Sequence, residues 1–460
     1  MTPPVSRRRF LQLTGSAALG ATALSALSAC GSGSGASGNQ ISYWGAFASK
    51  DIEKYFQDNF VDAYNKTATG PDARKVQMSV KQIDTVARLT QTAVASGRGP
   101  DIIGTAGPAQ TLPYVANGNL LALDAYVDKF GWSDNLLSWS LDAGRADGKL
   151  YSLPSGYETM AVFYNPATLD KHGWKPPTSR TEFEDLCEDA MSKGIMPVGA
   201  GNAEFKAATE WHVTWMWNTF AGPQALYEAL TGKRRWTDPV FVEAISVLKG
   251  WFDKGWFGGG PGKYFTNKFT AIYEDMASGD AALFFNGSWT FSEIDPYFGK
   301  AAGNDATWDW APLPSMSTGV PAGVQPLSIG TAYSVNKDCE HPDQAVDVLD
   351  YLVSDGPRQL EWLAATGVAP APVKVTEADF PKDIDPRVER HYIALNAATD
   401  VGYTTWTFWP PKSDTYIYES MEKVITGDLS PKDYCAGLDK LFQQEFKAGA
   451  IPPVPAPKGA

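Results

Sequence analysis

The chain has 460 residues, enough to bury a large core and to build two or more domains. Its formal net charge of -13 excludes a nucleic-acid surface and any broad attraction to an anionic membrane. Four cysteines and four histidines show no zinc, metal-ligand or disulfide spacing, so no metal or cofactor is expected.

Residues 1–29 read as an export signal: Arg7, Arg8 and Arg9, then a weakly apolar run from Phe10 to Ala29 rich in small residues. Ser6-Arg7-Arg8-Arg9-Phe10-Leu11 resembles the twin-arginine export motif. Leu27-Ser28-Ala29-Cys30 resembles the lipobox of bacterial lipoproteins. That resemblance implies cleavage before Cys30, a lipid on its thiol, and a body held at the outer face of the cell membrane. A lone cysteine is otherwise a small buried hydrophobe. This one stands at the signal boundary with GSGSGASG behind it, so residues 30–39 read as a flexible tether. No other window resembles a membrane span. The leader holds three arginines and no acid, so the remaining body is more negative still, and an anchor rather than charge must hold it to the membrane.

From Gln40 to Phe47 the pattern is a short strand and a turn. Ser49 to Thr67 fits a helix, with Ile52, Phe56, Phe60 and Tyr64 on one stripe. Lys75 to Ile83 alternates as a second strand, Asp84 to Ala95 is a helix, and Asp101 to Gly104 a short apolar strand. The stretch LPYVANGNLLALDAYVDKF supplies a helical turn and an amphipathic helix. This is the βαβ rhythm of an α/β lobe. Thr159 to Tyr164 is a further strand. Phe241 to Phe252 and Phe265 to Ser278 are helical, and Ala281 to Phe285 is a strand closed by Asn286-Gly287-Ser288-Trp289. After a Pro- and Gly-rich stretch, IGTAYSVNK reads as a strand. Helices follow over His341 to Ser354, Pro357 to Ala365, Thr415 to Val424 and Lys432 to Ala448. The tail, residues 451–460, cannot hold a helix.

Five blocks in this order carry a resemblance: SGRGPDIIG, YVANGNLLALDAYV, YSLPSGYETMAVFYNPATLDKHG, DMASGDAALFFNGSW and WLAATGVAPAP. Together, behind a lipobox, they are similar to the bacterial extracellular solute-binding proteins, in the maltose-binding-like branch that delivers sugars to ABC importers. The resemblance spans nearly all of the chain after Cys30. One departure is Gly156, where the family pattern has a small or polar residue. The resemblance implies a periplasmic-binding-protein type II-like α/β fold with two lobes and a ligand cleft between them. The first lobe would hold 40–153 and take back about 326–337. The second would hold about 159–310 and 341–450. It also implies an oligosaccharide ligand, ABC importer permease subunits as partners, and a monomer.

A sugar ring has an apolar C–H face and an edge of hydroxyls, met by flat aromatic rings and by carboxylates or amides. Candidates therefore lie at strand ends and in loops. Trp44 follows the first strand and Phe47 shares its turn, though a strand-end indole also suits a core. Gln82 and Asp84 close the second strand, where they bind hydroxyls or cap the next helix. Glu158 sits beside an apolar strand with no packing role, and the matching acid in the family reaches a sugar hydroxyl. Trp289, by resemblance, is a stacking platform. Glu210, Trp211, Trp215 and Trp217 crowd one helix, which cannot aim all of them at a ligand. Tyr403, Trp406 and Trp409 occupy a loop before a helix, where the family often places an aromatic. Asn286 holds the turn before Trp289 or binds ligand. The cations form no cluster, so an anionic ligand is disfavoured.

Glycoside hydrolases also have acidic, Trp-rich clefts, with two carboxylates across the scissile bond. The chain shows no G-x-S-x-G, no H-E-x-x-H and no Ser/His/Asp pattern, so no catalytic residue is assigned. Other readings keep the fold and change the cargo to a peptide, polyol or compatible solute, or make the protein a polysaccharide adhesin.

Overall fold

Two separate sheets organise the chain in a computed structural model that describes residues 40–457. The expected export signal, the expected lipid site at Cys30 and the whole tether, residues 30–39, lie outside the described residues, as does the side chain of Asp84. The strands in chain order are β1 (Gln40–Gly45), β2 (Lys75–Val80), β3 (Ile102–Thr105), β4 (Arg145–Ala146), β5 (Lys149–Leu150), β6 (Leu153–Glu158), β7 (Met160–Tyr164), β8 (Met196–Val198), β9 (Ala281–Gly287), β10 (Asp309–Ala311), β11 (Gln325–Val335) and β12 (Val401–Tyr403).

The larger sheet runs β12-β11-β3-β1-β2, with β6 also on β11. β1 lies parallel to β2 and β3, as βαβ crossovers require, and β11 returns antiparallel to β3. Its core holds Ile41, Tyr43, Phe56, Phe60, Ile102, Val335, Leu349 and Trp362. The stripe read from sequence supplies Ile52, Phe56 and Phe60. Phe56 and Phe60 stack at 4.8 Å and both meet Trp362 edge-on. Ser49 caps that helix by accepting from the Ile52 amide, and the helix carries one wide turn at Gln57–Val61 before continuing to Thr67.

The smaller sheet runs β10-β7-β9-β8. All seven residues of β9 are buried, and its first five read as a continuous apolar run rather than an alternating one. Helix Thr209–Phe220 is buried on every side, which is why its sequence shows no polar face.

Two expectations are corrected. The helix Pro342–Val353 was grouped by resemblance with the second lobe. Its Ala345, Val346, Val348, Leu349 and Val353 instead enter the core of the larger sheet, because β11 leads straight into it on that side. The amphipathic helix expected near Ala122 is reduced to single turns at Asp124–Tyr126 and Val127–Phe130, since Leu120 bridges to Asn336 and Leu123 bonds to Leu150, pinning the chain extended there. The tail holds no helix over 451–457, and the Tyr403 hydroxyl donates to the Pro455 carbonyl at 2.6 Å.

Candidate functional site

The chain passes from the larger sheet to the smaller one at a single residue. β6 ends at Glu158 and β7 begins at Met160, with Thr159 between them. Thr159 is fully buried and held on both sides. Its carbonyl accepts from the Ser288 amide at 2.9 Å, and its hydroxyl donates to Gln325 at 3.1 Å. Ser288 starts the turn that carries Trp289, and Gln325 starts β11. One residue thus ties the crossing to both sheets.

Glu158 pairs in register with Ser328 of β11, and the pairing slips just beyond, between Ile329 and Thr331. The skipped residue is Gly330, and the Glu158 carboxylate fills the space there. A Cβ on Gly330 would lie 2.2 Å from Glu158 Oε2. Burial, with the charge of Glu293 added, pushes the Glu158 carboxyl up to about 7. Glu293 is itself raised by burial, although the Tyr273 hydroxyl donates to it at 2.9 Å. Gly156, the departure noted in the sequence, faces Thr331. A Cβ there would lie 2.6 Å from the Thr331 hydroxyl, so glycine is what the close pairing permits.

Three of the expected aromatics meet one another, and Trp406 among them bonds to Ser328, the residue paired with Glu158. Trp211 and Trp289 lie 4.8 Å apart at 50°, and Trp289 and Trp406 lie 5.8 Å apart at 70°. Steep angles make a corner rather than a stack, but Trp211 itself is buried, at 9% exposure. Trp289 and Trp406 are half-buried. Trp289 folds over Gly287, whose missing side chain leaves room for the ring. Asn286 holds the turn by donating to Thr290 at 2.9 Å, so its role is structural. Trp406 is fixed by its neighbours. Its indole N–H donates to Ser328 at 2.6 Å, Thr404 donates to the Leu327 carbonyl, and Thr407 accepts from the Ile329 amide. Phe269 stacks on the far side of Trp211 at 5.5 Å, and Phe205 extends the wall, half exposed at 51%.

The other candidates divide. Trp44 is half-buried at the end of β1, with Lys81 Nζ over its ring at 4.5 Å. Phe47 packs on Phe56 at 5.2 Å and so serves the core of the larger sheet in part. Gln82 is exposed and makes no side-chain cap to the helix Ile83–Ala95, which removes the capping alternative. Tyr403 and Trp409 are corrected: both are completely buried, and neither presents a face to a ligand. Tyr403 sits in β12 with its hydroxyl on the tail, and Trp409 packs against Trp217 and Trp236. Trp215 and Trp217 are core as well. Sequence reasoning missed Glu293, Ser328 and Gly330. Glu293, four residues past Trp289, had a spacing signal; the other two had none, because a strand bulge brings them there.

Among the described residues no cluster of His, Cys, Asp or Glu is arranged to hold a metal ion, and no helix is long and apolar enough to cross a membrane.

Comparison with known proteins adds a family. Residues 59–386 match the bacterial extracellular solute-binding protein model. A diacetylchitobiose binding protein of Streptomyces coelicolor is 24% identical over 354 residues, covering 72% of each chain. A probable sugar-binding periplasmic protein of Rhizobium meliloti is 29% identical over 117 residues, 25% of this chain and 28% of that one. Among solved structures, a chitin oligosaccharide binding protein superposes with a TM-score of 0.73 at 19% identity, covering 89% of this chain and all of that one. A protein from work on xylan utilization by Caldanaerobius polysaccharolyticus superposes at 0.72 with 20% identity, covering 87% and 99%. At these identities the superpositions establish the α/β fold.

Proposed function

Since the chain belongs to the bacterial extracellular solute-binding protein family, we propose that it captures a neutral oligosaccharide and delivers it to the permease subunits of an ABC importer. The observation that carries this reading is the corner of Trp211, Trp289 and Trp406, linked through Ser328 to the strand that bears Glu158. The partly exposed indoles of Trp289 and Trp406 take the C–H faces of sugar rings, and the carboxylate takes hydroxyls. Several platforms suit several rings, whereas a monosaccharide has two faces. Relatives named for diacetylchitobiose, chitin oligosaccharide and sugar support the same class. The protein binds and hands over its ligand without chemical turnover.

The larger sheet, with 40–153 and the segment from β11 to about residue 375, forms one lobe of a type II two-lobed body. The smaller sheet and the helices after residue 380 form the other. The ligand lies between them, with Trp44 and Gln82 reaching it from the first lobe. Binding energy shared across the cleft then shifts the open–closed balance. The body is tethered through residues 30–39 to a lipid on Cys30, as a monomer at the outer membrane face.

A thermal-shift screen against mono-, di- and trisaccharides, followed by calorimetry, tests the ligand class. A di- or trisaccharide should bind more tightly than any monosaccharide. Equal affinity for a monosaccharide overturns the oligosaccharide reading. Cys30→Ala should leave the membrane fraction, and retention there overturns the lipid anchor.

A further inference from the structure

Trp211 and Trp406 come from segments nearly two hundred residues apart, yet they form one wall. The residues just before them touch each other. Thr405 donates its hydroxyl to Glu210 Oε2 at 2.5 Å, and it also meets the Thr214 hydroxyl at 3.0 Å, one turn further along the same helix. Thr405 N points to Thr214 as well, at 3.4 Å. Glu210, Thr214 and Thr405 are all buried, Glu210 to 3% exposure. A carboxyl group in such a place is costly unless something holds it.

We propose that Glu210 is a positioning residue for ligand binding: its buried carboxyl clasps the helix Thr209–Phe220 to the turn Thr405–Phe408 and so sets the spacing of Trp211 and Trp406. The proposal rests on the reading above that these indoles hold the ligand.

The clasp has a third member. Asp414, in the first turn of the helix Pro411–Thr426, lies against Glu210, and its Oδ1 is buried with no hydrogen-bond partner. Two carboxyls in one dry space do not both ionise, so the pair keeps a proton between them. Burial first, and then Asp414, raise Glu210 well above the ordinary carboxylate range. The groups facing the pair add no counter-charge. Glu445, from the helix Pro431–Lys447, raises Asp414 further while it accepts from the Lys412 and Ser413 amides. Tyr434 of that helix and Tyr418 of Pro411–Thr426 feel the charge of Glu210. His212, on Glu210's own helix, is held neutral by burial among Phe252, Phe257 and Tyr264. When the last proton leaves, the two carboxylates repel and the wall opens.

Glu210→Gln keeps an acceptor for Thr405 and a donor for Asp414 but has no proton to lose. Glu210→Ala removes the clasp. Two readouts separate the outcomes. The first is the exciton signal of the coupled indoles in far-UV circular dichroism, taken as the difference from the matching Trp289→Ala protein, in a Glu158→Gln background. In the parent this signal should fall as pH rises above the ordinary carboxylate range. With Glu210→Gln it should stay flat. The second is affinity for chitotriose, xylotriose and maltotriose by calorimetry. Whichever binds should lose at least about tenfold in Glu210→Ala and less than about threefold in Glu210→Gln at pH 7. Glu210→Gln titrating like the parent, or a folded Glu210→Ala with an unchanged exciton signal, overturns the clasp. If Glu210→Ala does not fold, the Gln profile alone decides. If none of the three sugars binds but the signal titrates through Glu210, the clasp stands and the ligand class falls.

Discussion

Trp217, Trp236 and Trp409 form one cluster; Trp211, Trp289 and Trp406 form another. In the first, the rings lie 5.2–6.1 Å apart at 11–36°, and all three are completely buried. Their indole N–H groups have no partner among the described residues. In the second, the rings meet at 50–70°, and Trp406 has its N–H satisfied by Ser328. Near-parallel rings cover one another's faces and act as core. In the second cluster Trp289 and Trp406 keep partly exposed rings, whereas Trp211 is buried with Phe269 stacked on it at 5.5 Å. The two clusters share a helix, since Trp211 and Trp217 lie six positions apart and point to different sides.

The sharpest test of this contrast is Trp236→Ala. It removes the middle of the closed stack, which also touches Phe241 and Phe442. A loss of about 3–5 kcal/mol is expected from denaturant unfolding, with sugar affinity of the folded protein unchanged. Trp289→Ala should do the reverse. Stability should change by less than about 1 kcal/mol, while affinity falls by about 1–3 kcal/mol in calorimetry, as for other stacked aromatic contacts. If both variants lose stability alike, the second cluster is core and the ligand wall lies elsewhere.

The sequence made the α/β rhythm readable, because strand ends and helix stripes follow local periodicity. It also pointed to Glu158, Trp211, Trp289 and Trp406, each beside a turn or crossing. It did not separate Trp406 from Trp409. Three residues apart in one segment, they look equivalent. Thr404, Thr405 and Thr407 pin the turn so that one indole faces Ser328 while the other enters the closed stack. Those bonds join residues far apart in the chain, and no local pattern announces them. The same holds for the helix Pro342–Val353, whose apolar stripe was evident but whose partner sheet was not.

The carboxylate extends the comparison to charge. In the folded protein Glu158 keeps its proton to about 7, against an ordinary value of 4.5. Its share of stability is therefore complete below about pH 4.5 and is lost as pH rises toward 7. Glu158→Gln removes that slope and should stabilise the ligand-free protein at pH 8 by about 1–3 kcal/mol. Sugar hydroxyls donate to the ionised form, so in a Glu210→Gln background, where the clasp does not titrate, affinity should improve from pH 6 to pH 8 by up to about tenfold, and adding Glu158→Gln should abolish that rise. An affinity independent of pH across that range in the Glu210→Gln protein separates Glu158 from the ligand.

Tyr403 gives the smallest effect and the finest test. By sequence it stands with Trp406 and Trp409 as a possible platform, but its ring is sealed and its hydroxyl reaches Pro455. Phe408 meets the ring edge-on at 5.3 Å, and the Asn218 side chain accepts from the Tyr403 amide at 2.8 Å and donates to its carbonyl. The backbone is thus held whatever the hydroxyl does. Tyr403→Phe should then cost only the tail bond, about 1 kcal/mol, with sugar affinity unchanged. Deleting residues 451–460 removes the same bond from the other side, together with the partial burial of Ile451 and Val454 against the core. It should cost more than the point change, and in the truncated chain Tyr403→Phe should add almost nothing, because the shared contact is already gone. Full additivity would mean that the hydroxyl stabilises the protein through some other partner. A loss of affinity in Tyr403→Phe would return that residue to the ligand wall, and with it the view that any aromatic in this segment serves the same purpose.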